Sequence, residues 1–472
     1  MFTLIKNWNI IKIKLLLFIQ ISGKGWYIMK ISKGLRRLIV FVIITSTMLC
    51  SCDIKAKNEI LPIGQENTNV QEKKENLTFR ITWKAYSGRG EAIKKIIDGY
   101  NKLNQTKYQI TVISGDENID AIETQLDNSD VADIYMLPYR YVQYFGYKNK
   151  LKDLTQSFDN EKALFYEKLW NLAVVNDKVY GIPWLGHSMG LIYNKDLLNK
   201  AGVDISEINN LQSLITACKK VEANTQSKGI GLVGANHNDV SWMVNQFIYG
   251  FGGSLVDSTG TKVTINSEQA KAAITFYKDE LGTYAQSSWK TDTGVQAMDA
   301  FRDQQVAFEI QGLWGITDIW QNDNKFETGV IPLEKIGLYP EVGPMMLSIP
   351  TNLSAEKEAA AINFMQYLIS TKAQEQIMDG EYSPEHDAYY PFRLPVRTDI
   401  TETVVFKEHP EFTAFISGFS KPSIDVPVPL WQTIKDQIYA PGLHQVMENE
   451  ISIDEFLKKV ETEGNIILQG NP

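Results

Sequence analysis

The chain has 472 residues, more than one ordinary domain holds and enough for two or three compact units. Its composition is 44% hydrophobic, 22% charged and 11% aromatic, which excludes the fibrous and wholly disordered classes. The net charge is −9, but the first 51 residues hold eight Lys/Arg and no Asp/Glu, so the rest carries −17, a balance that argues against nucleic acid and polyanionic substrates.

Met29-Lys30 begins a basic head (Lys30, Lys33, Arg36, Arg37) followed by the apolar run Leu38–Leu49 and by Cys50-Ser51-Cys52. A basic head, a short apolar core and a small residue before a boundary describe a secretory signal over residues 1–51. The run spans about 12 residues, against roughly 20 for a membrane-crossing helix. Residues 1–28 precede what the signal needs; they are either a misassigned start or a long basic leader. The boundary is similar to the bacterial lipobox, which implies lipidation at Cys52. Two acyl chains at about 0.8 kcal/mol per buried methylene anchor stably where one is marginal. A non-lipidated signal is the alternative, as is Cys50, whose neighbours Thr47 and Leu49 fit less well. Residues 52–76 are polar and read as a flexible tether.

The fold is expected to start at Leu77. In Leu77-Thr-Phe-Arg-Ile-Thr-Trp83 apolar side chains alternate as in a strand. Glu91–Asn104 carries Ile93, Ile96, Ile97, Tyr100 and Leu103 at helical spacing. Tyr108–Ile113 reads as a strand, Ile119–Asn128 as a helix and Asp133–Leu137 as a strand, an alternation that predicts a largely parallel sheet with helices on both faces. A second set follows from Gly190: strands at Leu191–Tyr193 and Gly229–Val233, with helices at Lys195–Ala201, Leu211–Val221, Val240–Tyr249, Ser267–Leu281 and Val295–Asp303. Val306–Ile310, Gly329–Ile331 and Met346–Ile349 are strand-like. The C-terminal part is mostly helical: Glu356–Ser370, Lys372–Met378, Leu430–Tyr439, Leu443–Glu448 and Ile453–Leu468, with Pro441 expected to end one helix before the next. Cys218 lies in a helical pattern and reads as core filler rather than a nucleophile. Two α/β bodies in succession predict a cleft.

Lys178-Val-Tyr-Gly-Ile-Pro-Trp184, Gly190–Gly202, Ala300–Trp314, Glu358–Leu368 and Leu394-Pro-Val-Arg397, in this order and spacing, resemble the family 1 extracellular solute-binding proteins of the maltose-binding type. The resemblance runs from about residue 77 to 468. It implies a two-lobed, periplasmic-binding-protein-like fold of type II, with lobes joined by a crossover hinge. Carried over by position, lobe one holds 77–188 and 313–350, and lobe two holds 189–312 and 351–472. It also implies a lipid-anchored, monomeric receptor on the outer face of the bacterial cell membrane. Such a receptor closes on a carbohydrate and hands it to ABC permease subunits, with no cofactor and no metal.

A sugar presents hydroxyls at its rim and C–H patches on its faces, so its site needs aromatic plates and planar polar groups. By the resemblance Trp314, Trp431 and Trp242 are the plates; Trp184 and Trp83 are weaker candidates beside strands. The polar candidates are Tyr86, Ser87 and Arg89 after the first strand, Tyr139 and Arg140 after the strand ending at Leu137, Asp239, and Arg393. His187 stands at a hinge position where a maltose-binding relative carries a carboxylate, so hydroxyl recognition there must differ. The other readings are a receptor for a non-sugar solute, a sensor, or a secreted serine hydrolase using Ser188 within Gly186-His-Ser-Met-Gly190. The last needs a helix directly after the serine, whereas Leu191-Ile-Tyr193 reads as a strand.

Overall fold

The computed structural model describes residues 74–83, 88–103, 106–128, 131–323, 325–383, 387–400, 404–423 and 426–470, together with two short strands, Leu17–Gln20 and Trp26–Met29. Those two pair antiparallel within a unit spanning Met1–Gln71. The basic head, the apolar run, Cys52 and the tether as far as residue 73 lie outside the described residues; the expected tether ends earlier than residue 76, because the first strand of the body already begins at Glu75.

The second unit, Glu72–Pro472, contains two principal sheets, two short two-stranded ones and two apolar cores. Its principal strands are β1 (Glu75–Ile81), β2 (Tyr108–Ser114), β3 (Ile134–Pro138), β4 (Ile182–Leu185), β5 (Gly190–Asn194), β6 (Lys228–Gly231), β7 (Val306–Gln311), β8 (Thr328–Pro332) and β9 (Met345–Ser348). The helices that matter for the site are α1 (Gly88–Leu103), α2 (Tyr139–Tyr147), α3 (Asn238–Gly250), α4 (Gly294–Arg302), α5 (Leu313–Gln321) and α6 (Ala355–Leu368). The first sheet has the order β2-β1-β3-β9-β4 and the second β6-β7-β5-β8. In the first, only β9 runs against its neighbours; in the second, only β5 does. One cause explains both. β5 and β9 are the strands that enter a sheet directly from a crossing between lobes, so they run away from the hinge while the strands beside them run toward it.

The alternation read in β1 is real: Leu77, Phe79 and Ile81 are fully buried. Phe79 packs against Trp184 of β4 and Phe364 of α6, with ring centroids 5.6 Å apart in both cases. The second core gathers Phe247, Tyr277, Trp289, Tyr439 and Phe456. Burying each such ring removes some 150–250 Å² from water, the dominant favourable term of folding. Cys218 is fully buried there, and burial pushes its thiol up, away from reactivity.

β8 pairs along its length with β5, so Thr328–Pro332 sits in the second sheet, while Leu313, Ile316 and Ile319 of α5 pack into the first core. α6 belongs to the first, where Tyr100 donates to Asn363 (2.8 Å) and Phe364 meets Phe79. The chain rejoins the second core only from Val428 onward. Pro441 does not end a helix. The run from Trp431 continues through a π-turn at Lys435–Tyr439 into Ala440–Met447, and Pro441 lies two residues past the π-turn inside that continuous run.

Beneath α5, Glu309 of β7 is 1% exposed, and neither carboxylate oxygen has a hydrogen-bond partner among the described residues. Burial, aided by Asp318 and opposed by Arg302, raises its pKa well above the ordinary 4.5. The native state therefore holds this proton more tightly than the unfolded chain, and stability declines as pH rises above the ordinary carboxylate range. Glu309→Gln removes the ionisation. At pH 8 the variant should be more stable in urea than the wild type, with the gap narrowing toward pH 4.5. A gap independent of pH would contradict the assignment.

Candidate functional site

Two segments carry the chain across between the sheets, 186–189 outward and 337–344 back, and they are bonded to each other. Met189 N–H donates to the Glu341 carbonyl (3.1 Å) and Gly343 N–H to that of His187 (3.2 Å), with Ser188 bridged to Val342. Gly186 and Leu394 exchange two further bonds of 2.8 Å. A later passage is fixed where Ser423 N–H donates to the Pro340 carbonyl (2.9 Å). Ser188 is fully buried in this ribbon and followed directly by β5, so the strand–turn–helix setting of a nucleophile is absent at this serine.

Against the ribbon opens a cavity of about 270 Å³. His187, Met189 and Glu341 form its floor. Arg140, in the first turn of α2, comes from the first lobe; Asp239 and Trp242 of α3, Gly294, Val295 and Met298 of α4, and Gln311 and Trp314 come from the second.

Trp314 sits in the first turn of α5, one residue beyond the Gly312 cap and Leu313. A Cβ at Gly312 would strike the six-membered edge of the Trp314 indole, so only glycine lets the ring lie back over the cap. The imidazole of His187 meets Trp314 edge-on, centroids 5.5 Å apart at 75°. Arg393 places its guanidinium 4.7 Å from the Trp314 ring centre and 5.1 Å from that of Trp83, a cation held between two indoles. Trp242 is oriented by Asp239, which accepts its indole N–H at 3.1 Å and the Gly294 N–H at 2.8 Å, and which lies 3.1 Å from His237. One carboxylate thus fixes an aromatic plate and the start of α4 together.

The floor is electrostatically closed. Glu341, 4% exposed, faces Arg140 at 3.5 Å, accepts from Ser423 Oγ at 2.9 Å, and lies 3.5 Å from the Tyr139 hydroxyl. Burial raises its pKa, with Arg140 opposing. Arg140 also donates to Gln432 (3.3 Å). Lys435 lies next to this group, and burial, reinforced by the Arg140 charge, lowers its pKa to about 7. Burial, with Arg393 and Arg140 adding positive charge, holds the His187 pKa well below 6.5. Its imidazole is therefore neutral at neutral pH, and its Nδ1 has no hydrogen-bond partner among the described residues.

Of the residues expected from sequence, Trp314, Trp242, Arg140, His187 and Asp239 line this one cavity. Arg393 and Trp83 flank it through the cation–π contacts. Arg89 lies on α1 rather than a loop, 5.6 Å from the Trp83 ring centre. Tyr139 and Arg140 follow β3 directly, as expected, at the start of α2, and Tyr139 is buried against Glu341. Trp184 and Trp431 are corrections. Trp184 is fully buried against Phe79, and Trp431 is 3% exposed and packs on Tyr439 at 5.5 Å. Both rings are spent on core packing. Tyr86 and Ser87 lie outside the described residues. Sequence reasoning missed Met189, Met298, Gln311 and Glu341. Gln311 was within reach, being the last residue of β7 and three positions before Trp314; Glu341 follows Leu338-Tyr-Pro, which has no period to read.

Comparison with known proteins gives a consistent result. The family model of bacterial extracellular solute-binding proteins matches residues 84–375. The chain is 22% identical over 376 residues to the multiple sugar-binding protein of Streptococcus mutans, covering 74% of this chain and 81% of that protein. In structure it is similar to an ABC transporter solute-binding protein of Thermotoga lettingae bound with α-D-tagatose (TM-score 0.71, 20% identity, 84% of this chain and 100% of the other). It is also similar to the GacH receptor of Streptomyces glaucescens, solved unliganded and with acarbose (TM-score 0.69, 21% identity, 84% and 100%). The fold is thus the two-lobed one shared by these proteins.

The environment of His187 sets an expected titration. In NMR spectra its ring should titrate well below the ordinary histidine value of 6.5. A midpoint at or above 6.5 would contradict the burial and the two guanidinium neighbours described.

Proposed function

Because the chain belongs to the bacterial extracellular solute-binding protein family, whose members bind solutes rather than catalyse, we propose that it captures a carbohydrate in the interlobe cavity and delivers it to an ABC importer. The observation carrying this reading is the juxtaposition on one cavity of two indoles from the second lobe with planar polar groups on the hinge and the first lobe. Trp314 and Trp242 offer faces to the C–H patches of a sugar; His187, Gln311 and the Arg140–Glu341 pair offer donors and acceptors to its hydroxyls. A cavity of about 270 Å³ is at the small end of ligand sites and suits a mono- or disaccharide or the end of a longer chain. Relatives named for sugar binding, and structures solved with sugar ligands, support the same class.

In this reading the signal over residues 1–51 exports the protein, Cys52 bears the lipid, and residues 53–74 hold the body off the outer face of the membrane. The ligand favours closure because groups from both lobes reach it together only when the lobes approach. The closed monomer docks on permease subunits.

Isothermal titration over a panel of neutral sugars is the direct test. Trp314→Ala should cost at least about 1 kcal/mol, roughly fivefold in affinity, with the melting temperature of the free protein little changed. Wild-type affinity in that variant would remove Trp314 from the site, and failure of every sugar would remove the ligand class.

A further inference from the structure

α5 ends at a second and larger cavity. Six residues and about 9 Å of helix beyond Trp314, Trp320 opens on a hollow of about 860 Å³ on the flank of the molecule. Its wall is aromatic. The half-buried Trp320 ring is backed by His409 (centroids 4.5 Å apart) and by the buried Phe412 (5.7 Å), and meets Tyr390 at 5.9 Å with the two planes tilted by 53°. Trp320, Tyr390 and His409 all line the space. Its edges are polar, with the Thr328 hydroxyl and the carboxylates of Asp323, Glu327, Glu408 and Glu411. Lys195 lies 3.2 Å from Glu327, and His409 lies 3.4 Å from Glu411.

We propose that this flank cavity is a second carbohydrate site, separate from the cleft; it rests on the carbohydrate reading above for the chemistry of its ligand. An apolar ligand would strip water from the carboxylates without replacing their hydrogen bonds. An anion meets more negative than positive charge. A neutral polyhydroxylated ring satisfies both surfaces: its C–H face covers Trp320 or Tyr390, and its hydroxyls donate to an edge richer in acceptors than donors. The volume lies near the upper end of the range for small-ligand sites, which suits an oligosaccharide better than a single ring. The wall draws on Lys195 just past β5, the end of α5 and the start of β8, together with Tyr390, Pro391 and the 408–411 segment, so an occupant would bind elements that follow one another only distantly in sequence.

Isothermal titration of the exported form with maltotetraose, cellotetraose and choline chloride tests this, on wild type, Trp314→Ala, Trp320→Ala and Glu408→Gln. Trp314→Ala should still bind at least one tetrasaccharide. Combining it with Trp320→Ala should weaken that binding at least tenfold, and combining it with Glu408→Gln, an exposed change that leaves the core untouched, severalfold. Absence of tetrasaccharide binding in folded Trp314→Ala, indifference of the residual binding to both flank changes, or preference for choline would overturn the proposal. Binding lost in Trp320→Ala but kept in Trp314→Ala would instead count against the cleft while supporting the flank.

Discussion

The structure depends on backbone hydrogen bonding between the segments that cross from one lobe to the other. Residues 186–189 and 341–343 lie where both lobes crowd the chain, with Ser188 fully buried, and each peptide group there needs a partner. Met189 and Gly343 find it across the ribbon, in Glu341 and His187, while Gly186 pairs with Leu394 and the Glu341 N–H donates to Gln246. That requirement fixes the spacing of the sheets, the reversed direction of β5 and β9, and the floor of the cleft, because His187, Met189 and Glu341 are carried on those same segments. A hinge built from paired extended chain bends without breaking its bonds, whereas a helix bent at such a place would lose some of its own.

The floor also shows how charge is tolerated there. Glu341 is nearly sealed, yet it faces Arg140 and accepts from Ser423, and the carboxylate and guanidinium offset one another. A buried pair of this kind adds little net stability compared with an apolar filling, but removing one partner leaves the other uncompensated. Its contribution is to orientation. It fixes the Arg140 head at the cavity while His187, surrounded by positive charge, stays neutral, giving a polar surface that neither attracts strongly nor repels an uncharged guest.

Much of the fold is legible in the sequence because β1, α1, β2 and the helices near the C-terminus carry clean periods. The place of β8 is not, since this five-residue strand is positioned by pairing with β5, more than 130 positions earlier. The site divides in the same way. Trp314, Trp242, Arg140, His187 and Asp239 were expected and meet at one cavity, but Trp184 and Trp431 show the limit of residue type as a guide. A tryptophan at a strand or helix end serves equally well as a plate for a ligand or as core filling, and only the third dimension separates the two. Glu341 left no trace because the return crossing is irregular chain with neither alternation nor helical spacing. Arg393 was expected to meet a ligand, while the structure lodges it between Trp83 and Trp314.

The π-turn at Lys435–Tyr439 has a geometric corollary. Such a turn holds one residue more than an ordinary helical turn, so side chains on its two sides are offset by about 100° from where an uninterrupted helix would put them. That offset lets a single rod present Gln432 to Arg140 at one end and seat Leu443 and Val446 in the second core at the other. It amounts to one inserted amino acid acting as a rotary shim. A descendant that lost it would keep its composition and length almost intact while turning one end of the rod to face a different direction.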